Sequence, residues 1–290
     1  MDYIIHGLVE KSARIFIATT KNLVEEAREI HITSKVCTAA LGRLLTAGSL
    51  MGAMLKNEKD VLTLSIKGDG ETKSLVVTAD GKSNVKGYIA NPNVDIPLKA
   101  NGKLDVGGAL GFGELRVIKD IGLKESVSGA VELISGEIAE DLTYYFAKSE
   151  QIPSSVALGV LVDRDYSVKC AGGFIIQILP DAKEEIISKL ENTLPKLPPI
   201  TSLLNEGYNP EQILKEIFPV EEITIYDKIF PKFSCDCSRE KMTKALIAVG
   251  VNELKSMKNE DKGASLKCHF CKKENKYTEE DLQKIIESVS

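Results

Sequence analysis

The sequence is poor in cysteine and histidine, has no excess of basic charge and contains no long apolar run. Six cysteines and three histidines occur among 290 residues, and the formal net charge is −5. This acidic balance gives no reason to expect binding to nucleic acid or to an anionic membrane. With 43% hydrophobic and 27% charged residues, the composition is that of a soluble protein with a sizeable core. The length allows one large domain and a smaller one.

The lack of a long apolar run excludes a membrane-spanning helix. The least polar segment, residues 36–55, is interrupted by Arg43, and only twelve uncharged residues follow that arginine. A span needs about 20 apolar residues, so we expect a buried central helix here. The first residues, MDYIIHGLVE, lack the basic region and cleavage site of a secretory signal. We therefore expect a cytoplasmic protein whose thiols are kept reduced.

The large N-terminal region has no catalytic motif, and we do not expect an enzyme. Its glycine-rich stretch GGALGFGEL leads into a strand-like segment and lacks the lysine of a phosphate loop. His6 and His31 have no neighbouring nucleophile. Cys37 and Cys170 are solitary and lie in apolar segments, so we interpret both as small buried side chains.

Three regions differ in their pattern. Residues 1–180 combine an opening hairpin, two helices and several short β-branched runs, which is typical of an α+β domain. Residues 181–228 form a helical linker of short amphipathic helices separated by prolines. These helices either pack permanently on the larger domain or become a client-binding surface under some conditions. The candidates for that surface are Leu203, Leu204, Ile213, Leu214, Ile217 and Phe218.

Residues 229–290 form a small third domain with few large apolar side chains. Two helical stripes are predicted: Met242, Leu246 and Val249, and then Leu282, Ile285, Ile286 and Val289. A capping box of Thr278 and Asp281 starts the last helix. A domain of this size rarely folds without an additional stabilising element, such as a disulfide or a bound metal ion.

Four of the six cysteines form two close pairs in this domain, Cys235-Asp-Cys237 and Cys268-His-Phe-Cys271. Two such pairs can close a tetrahedron of thiolates around a metal ion, and zinc is the expected metal in a reducing compartment. The spacer between the pairs has room for a helical pair. His269 lies inside the second pair, so a site of three cysteines and one histidine stays open. We expect one Zn²⁺ per chain.

A purely structural zinc is the simpler interpretation, but two features favour a redox switch. Structural zinc contributes about 10–16 kcal/mol in finger peptides, against about 5–15 kcal/mol for the whole net stability of a small domain. Chemistry that consumes the thiolates should therefore unfold the domain. In addition, alternate residues of an extended chain lie about 6.5 Å apart, whereas a disulfide prefers a Cα separation of about 5.5–6 Å. A Cys235–Cys237 bond would be strained and readily reduced.

These residues resemble the redox-regulated holdase chaperones of the heat-shock protein thirty-three family. The Cys-x-Cys pair followed by SREKM, and then CHFC, is the most specific element. Segments such as ALGRLLTAGSLMGAMLK, GYIANPNVDIPL and SGEIAEDLTYYFAKSEQIPSS also resemble the family and occur in its order. The resemblance covers essentially the whole chain.

The resemblance implies an α+β N-terminal core, a helical linker and a small C-terminal zinc-binding domain with four cysteine ligands that acts as a redox switch. Cys235, Cys237, Cys268 and Cys271 would be the zinc ligands of the reduced, inactive protein. Oxidation would form the disulfides Cys235–Cys237 and Cys268–Cys271. The oxidised protein would bind unfolding proteins without ATP, and we expect it to be a homodimer. Cys37 and Cys170 match no functional role in the family.

Helices as short as those of the linker, under about 12–15 residues, are marginal in water. We therefore hypothesise that residues 181–227 stay ordered only while the zinc domain is folded. Oxidation would then uncover their apolar faces to unfolding chains.

Two other functions stay open. A zinc ribbon that binds nucleic acid would need a basic, aromatic-rich face. Residues 229–290 have twelve Lys and Arg against ten Asp and Glu, and a zinc tetrathiolate centre offsets that small surplus. A thiol–disulfide oxidoreductase would place CHFC at the start of a helix in a βαβ unit. Here KKENKYT separates Cys271 from the next predicted helix.

Overall fold

The computed structural model describes residues 1–220 and 222–289. Its contacts divide the chain into two compact units, Met1–Ser234 and Cys235–Ser290. The boundary falls directly before the first cysteine of the Cys-x-Cys pair. Residues 181–228 lie in the first unit by their contacts, and their separate role as a linker stays a proposal.

Strands and helices follow one another without strict βαβ alternation, as the sequence predicts for an α+β fold. The strands are β1 (Tyr3–Val9), β2 (Ala13–Thr19), β3 (Val61–Gly68), β4 (Ser74–Asp80), β5 (Asn84–Ile89), β6 (Gly113–Asp120), β7 (Val127–Glu132), β8 (Ser154–Val162), β9 (Val168–Ile178), β10 (Ile223–Ile225), β11 (Lys232–Phe233), β12 (Gly263–Lys267) and β13 (Glu274–Thr278). The helices are α1 (Lys21–His31), α2 (Lys35–Gly52), α3 (Val106–Leu110), α4 (Ala139–Tyr145), α5 (Glu184–Thr193), α6 (Ile200–Asn205), α7 (Pro210–Ile217), α8 (Arg239–Ile247), α9 (Val251–Asn259) and α10 (Glu279–Val289).

The first unit contains a five-stranded antiparallel sheet in the order β10-β1-β2-β9-β8. The opening hairpin predicted from the sequence is confirmed, because β1 pairs with β2 in a register that runs from Tyr3↔Thr19 to Val9↔Ala13. The turn residues Glu10 and Lys11 have φ values of 43° and 56°. This left-handed conformation is the one that tight hairpin turns favour.

A second sheet of the same unit has six strands in the order β11-β5-β4-β3-β6-β7. Its pairs are antiparallel except for β11, which runs parallel to β5. The glycine-rich stretch GGALGFGEL begins in the short helix α3 and then leads into strand β6 at Gly113, as predicted.

The predicted central helix is α2, which lies between the two sheets. Sixteen of its eighteen residues are buried. Its small residues allow close packing, and a Cβ at Gly48 would lie 2.6 Å from a methyl carbon of Val77. Its one internal charge, Arg43, forms an ion pair with Glu137 at 2.6 Å. Within the described residues, no helix combines the length and the hydropathy that crossing a membrane requires.

The linker helices α5, α6 and α7 share one apolar cluster with the five-stranded sheet, including Ile15, Ile17 and Phe174. The six candidate client-binding residues are all buried in this cluster, with exposures between 0% and 9%: Leu203, Leu204, Ile213, Leu214, Ile217 and Phe218. Tertiary packing therefore stabilises these short helices, as their length requires.

Residues 222–234 complete the edges of both sheets of the first unit, and we call this segment the strap. Strand β10 pairs with β1 at the edge of the five-stranded sheet. Strand β11 pairs with β5 at the edge of the six-stranded sheet. Neither strand was predicted from the sequence.

The second unit consists of α8, α9, the hairpin β12–β13 and α10. Its core cluster has six buried residues: Leu246, Leu254, Tyr277, Leu282, Ile285 and Ile286. The predicted capping box is confirmed, because the Asp281 N–H donates to Thr278 Oγ1 at 3.2 Å and the Thr278 N–H donates to Asp281 Oδ2 at 3.0 Å. The assignment of Val249 to a helical stripe with Met242 and Leu246 is wrong, because Val249 lies beyond α8 and is 50% exposed. Val289 lies in α10, as predicted, and is 37% exposed.

Replacing Ile213 with alanine is expected to lower the free energy of unfolding of the first unit by about 2–5 kcal/mol, because the side chain is fully buried. Lys215→Ala, at an exposed position of the same helix, is the matched control and should change it by less than about 0.5 kcal/mol. Urea unfolding of the reduced protein, followed by far-UV circular dichroism, measures both. Equal midpoints for the two variants would contradict the packing described for α7.

Candidate metal centre

The four clustered cysteines lie on two turns. Cys235 and Cys237 are in the loop that precedes α8, and Cys268 and Cys271 are in the turn that joins β12 to β13. That turn is closed by backbone hydrogen bonds, including one from the Lys272 N–H to the carbonyl oxygen of Cys268 at 3.0 Å. The hairpin therefore holds the second pair of thiols in place.

The four sulfur atoms converge on one point. All four Sγ atoms lie within 4.8 Å of one another. The Sγ atoms of Cys235 and Cys268 are 3.7 Å apart, and those of Cys237 and Cys271 are 3.2 Å apart. A tetrahedral zinc site with Zn–S bonds of about 2.3 Å has sulfur–sulfur edges of about 3.8 Å, whereas a disulfide is about 2.05 Å long. The cysteines are therefore free thiols in an arrangement that forms a possible zinc site.

The thiols differ in acidity because their surroundings differ. Burial raises the pKa of Cys235 and of Cys237, and at Cys237 hydrogen bonds with the neighbouring thiols raise it further. Burial acts in the same direction at Cys271, but the backbone N–H of Lys273 and the neighbouring thiols outweigh it and lower the pKa of Cys271. Of these three thiols, Cys271 is therefore the one whose pKa is lowered. A bound cation would favour the thiolate form at all four positions.

Arg239, the first residue of α8, ties the first turn to the hairpin and to α10. Its guanidinium lies 4.5 Å from the ring centroid of Tyr277. It also donates to the carbonyl oxygen of Lys276 at 2.9 Å and to Asp281 Oδ2 at 2.8 Å. Arg239 was not predicted from the sequence to be part of the site. Its position two residues after Cys237, directly after the N-cap Ser238, is the signal that was available.

The structure bears on two alternatives that the sequence left open. His269 is not among the side chains whose ligand atoms cluster in the described part of the chain, so the geometry favours four cysteines over three cysteines and one histidine. The CHFC motif lies between two strands and not at the start of a helix. This position lacks the helix N-terminus that lowers the pKa of a catalytic cysteine in thiol–disulfide oxidoreductases.

The two solitary cysteines lie apart from this site, in the first unit. Cys37 is in α2 and Cys170 is in β9, and both are buried. Burial raises the pKa of each thiol. A buried thiol with a raised pKa reacts slowly with oxidants, because the thiolate is the reactive form.

The donor set fits zinc. Four thiols on two turns match the ligand type and number of structural zinc sites, and the apolar core cluster of the same unit is small. Cys235, Cys237, Cys268 and Cys271 are the residues that would hold the metal.

Known proteins resemble the chain over nearly its whole length. The profile of the Hsp33 protein family matches residues 2–278. A 33 kDa chaperonin of Lachnoclostridium phytofermentans is 51% identical over 286 residues, which are 98% of each chain. A 33 kDa chaperonin of Clostridium perfringens is 53% identical over 276 residues, which are 94% of this chain and 86% of the relative.

Among solved structures, the crystal structure of a 33 kDa chaperonin (heat shock protein 33 homolog) from Thermotoga maritima matches with a TM-score of 0.92. It is 38% identical in sequence, and the match covers 99% of this chain and 98% of that one. The resemblance found in the sequence is therefore confirmed. The chain belongs to the Hsp33 family of chaperones.

Proposed function

We propose that this protein is a redox-regulated, ATP-independent holdase that is inactive while reduced and zinc-bound and active after oxidation. Membership of a chaperone family supports the binding of client proteins. The observation that supports redox control is the convergence of four thiols within 4.8 Å in a unit with a small apolar core.

One Zn²⁺ per chain would be held by Cys235, Cys237, Cys268 and Cys271. When bound, the metal supplies charge neutralisation for the thiolates and ties two turns together that are distant in sequence. Six buried residues form the core cluster of the second unit, so metal ligation is expected to provide a large share of its stability. Loss of the thiolate ligands would then unfold the unit.

Oxidation would convert the four thiols into two disulfides. Each disulfide forms as a pair of thiols loses two protons and two electrons, while one hydrogen peroxide is reduced to two water molecules. The short sulfur contacts in the folded unit run between the turns, from Cys235 to Cys268 and from Cys237 to Cys271. Bonds along these contacts would keep the two turns joined.

We propose instead that sequence neighbours pair, as Cys235–Cys237 and Cys268–Cys271. In an opening chain the short loops between neighbours close at a lower entropic cost than loops of more than thirty residues. Neighbour pairing also leaves the two turns free to separate. The unit would therefore stay open until the disulfides are reduced.

The six candidate client-binding residues are covered in this structure, so client binding would require helices α6 and α7 to leave the sheet. Their release would expose Leu203, Leu204, Ile213, Leu214, Ile217 and Phe218 together with the sheet face beneath them. Unfolding proteins expose matching apolar segments. A homodimer of the oxidised form would double this surface.

The charges of the second unit favour this function over nucleic-acid binding. Several of its cations form ion pairs: Arg239 with Asp281 (2.8 Å), Lys244 with Glu240 (2.9 Å), Lys262 with Glu279 (3.8 Å), and Lys241 with Asp236. A nucleic-acid interface needs cations that are available to phosphates. We place the protein in the cytoplasm, where reducing conditions keep the four thiols competent to bind metal.

Peroxide-treated protein is expected to suppress the thermal aggregation of citrate synthase in the absence of ATP, whereas the reduced, zinc-loaded protein should have little effect. Light scattering at equimolar ratio measures the difference. Subsequent reduction with dithiothreitol in the presence of zinc should abolish the suppression. Equal suppression by the reduced and oxidised forms would refute redox control.

The reduced protein is expected to contain about one zinc per chain, because four thiolates complete a tetrahedral site. Cys→Ser at any of the four positions should release the metal and raise amide exchange throughout the second unit. Metal analysis by inductively coupled plasma mass spectrometry measures the content. Undiminished zinc in the double variant Cys235→Ser/Cys268→Ser would show that the site is elsewhere.

Cys37→Ala and Cys170→Ala are expected to leave the zinc content and the response to peroxide unchanged, because both thiols are buried and burial raises their pKa. A modest loss of thermal stability should accompany the smaller side chain. Metal analysis and the aggregation assay test this prediction. Failure of either variant to become active on oxidation would reveal a further redox centre.

A further inference from the structure

The strap, residues 222–234, is held to β1 mainly through the backbone. The register pairs Gly7 with Ile225, Leu8 with Thr224 and Val9 with Ile223. Further backbone hydrogen bonds, with the donor first, are Ile4 N to Ile229 O (2.7 Å), Ile229 N to Ile4 O (3.0 Å), Tyr226 N to His6 O (2.9 Å) and Glu10 N to Glu222 O (3.0 Å). The strap therefore pairs with β1 through a three-residue antiparallel ladder at Gly7–Val9 and one isolated antiparallel bridge at Ile4.

Most side chains of the strap contribute little burial, and the exceptions, Pro231 and Phe233, lie near its C-terminal end. Ile225 is 43% exposed, Tyr226 is 50% exposed and Phe230 is 55% exposed. In contrast, Ile213 and Ile217 of the neighbouring helix α7 are fully buried. Segments that bury little apolar surface open at a lower free energy than segments that bury much. The strap should therefore leave the first unit before the linker helices do.

A polar side-chain cluster fastens the strap, in addition to the contact between the His6 and Tyr226 rings, whose centroids are 5.3 Å apart. The Tyr3 hydroxyl donates to Glu211 Oε2 at 2.6 Å, and Lys228 Nζ lies 2.6 Å from Glu211 Oε1. Lys228 Nζ also lies 4.4 Å from the ring centroid of Tyr3. The cluster joins the strap to β1 and to α7, but Lys228 is half exposed, and water weakens such a pair.

The strap is also the segment that covalently precedes the metal centre. Its last ladder hydrogen bond runs from the Ser234 N–H to the carbonyl oxygen of Val85 at 2.8 Å. Cys235 is the next residue. A change in the fold of the second unit thus reaches the strap through a single peptide bond.

We propose that the edge of β1, once the strap has left it, binds an extended segment of an unfolding protein as an added antiparallel strand. This inference rests on the proposed function and specifies the first client site. The strap itself shows what the edge accepts, namely an extended chain whose side chains point largely into solvent. Recognition by strand addition comes from main-chain hydrogen bonds, with side-chain pockets adding specificity.

Few side chains of the strap are buried, so the edge would select for an extended backbone and not for a sequence. This property suits a protein that meets many different clients. A vacated β1 would be a seven-residue edge strand with unpaired N–H and C=O groups, which is a template for another chain.

Hydrogen exchange on the full-length wild-type protein tests the proposal directly. Oxidation should raise exchange at the β1 amides that face the strap, such as those of Ile4 and Leu8, and in the strap itself by at least about tenfold, because the hydrogen bonds between β1 and the strap are lost. Addition of reduced, carboxymethylated α-lactalbumin, a permanently unfolded probe, should restore most of the protection at β1. The strap should stay unprotected in that complex.

Three results would overturn it. The probe could protect α6 and α7 while β1 stays exposed, which would place the client on the helix faces. Protection of β1 could return without the probe and increase with protein concentration, which would show that a second copy occupies the edge. Finally, the oxidised wild type could fail to suppress aggregation, in which case the proposed function itself fails and not only the assignment of the edge.

A matched pair of variants gives an independent test. Leu8 lies between His6 and Glu10, whose backbone groups bond to the strap, so strand alternation turns the Leu8 N–H to the same edge. Leu8→Pro removes this N–H but spares the ladder to β2, which uses the alternate residues. Leu8→Ala removes the same side chain and keeps the N–H.

When oxidised, Leu8→Pro should suppress citrate synthase aggregation at least about fivefold less well than Leu8→Ala at equal concentration. Both variants should hold one zinc per chain when reduced, which shows that the sensor is intact. Equal suppression by the two variants would refute strand addition at β1. If Leu8→Pro does not fold, the exchange experiment on the wild type still decides the question.

Discussion

Four thiolates can share a space of a few ångströms only if a cation neutralises them. The sulfur atoms of the second unit lie within 4.8 Å of one another, so deprotonation without a metal would bring like charges into contact. Two turns that are distant in sequence meet at this point, and the core cluster in the described part of this unit has six buried residues. In the proposed function, the fold of the unit therefore depends on ligands that an oxidant can consume.

The first unit does not share this dependence, although it also contains cysteines. Cys37 in α2 and Cys170 in β9 are buried, and burial raises the pKa of both thiols. The stability of this unit comes from a helix enclosed by two sheets and from the apolar cluster under the linker helices. One residue type thus has two roles that depend on its surroundings. In the proposed function, sensitivity to oxidants is confined to the second unit, where the four thiols would be metal ligands.

The sequence predicted the elements whose signals are local. The opening hairpin, the apolar helix α2, the amphipathic linker helices and the spacing of the four cysteines all have such signals. Strands β10 and β11 were missed because they have three and two residues and form only by pairing with β1 and β5, far away in the chain. Val249 was misplaced because Gly250, with a φ of 98°, separates α8 from α9. The contacts of Arg239 across the site depend on tertiary structure and have no local signal.

The strap and the linker helices cover surfaces of different chemistry, and they are held with different strength. The strap covers backbone groups and buries few side chains, whereas the helices cover an apolar face with fully buried residues such as Ile213 and Ile217. If opening proceeds from the metal centre along the chain, the backbone edge becomes available first and the apolar face later. A client that first binds to the β1 edge through its main chain would then lie beside the linker helices. The exposed apolar side chains of the client could help to displace these helices from the sheet. Because of this order of release, the apolar face would be uncovered only after an unfolded chain has bound. The chaperone would then not expose its apolar face when no client is present.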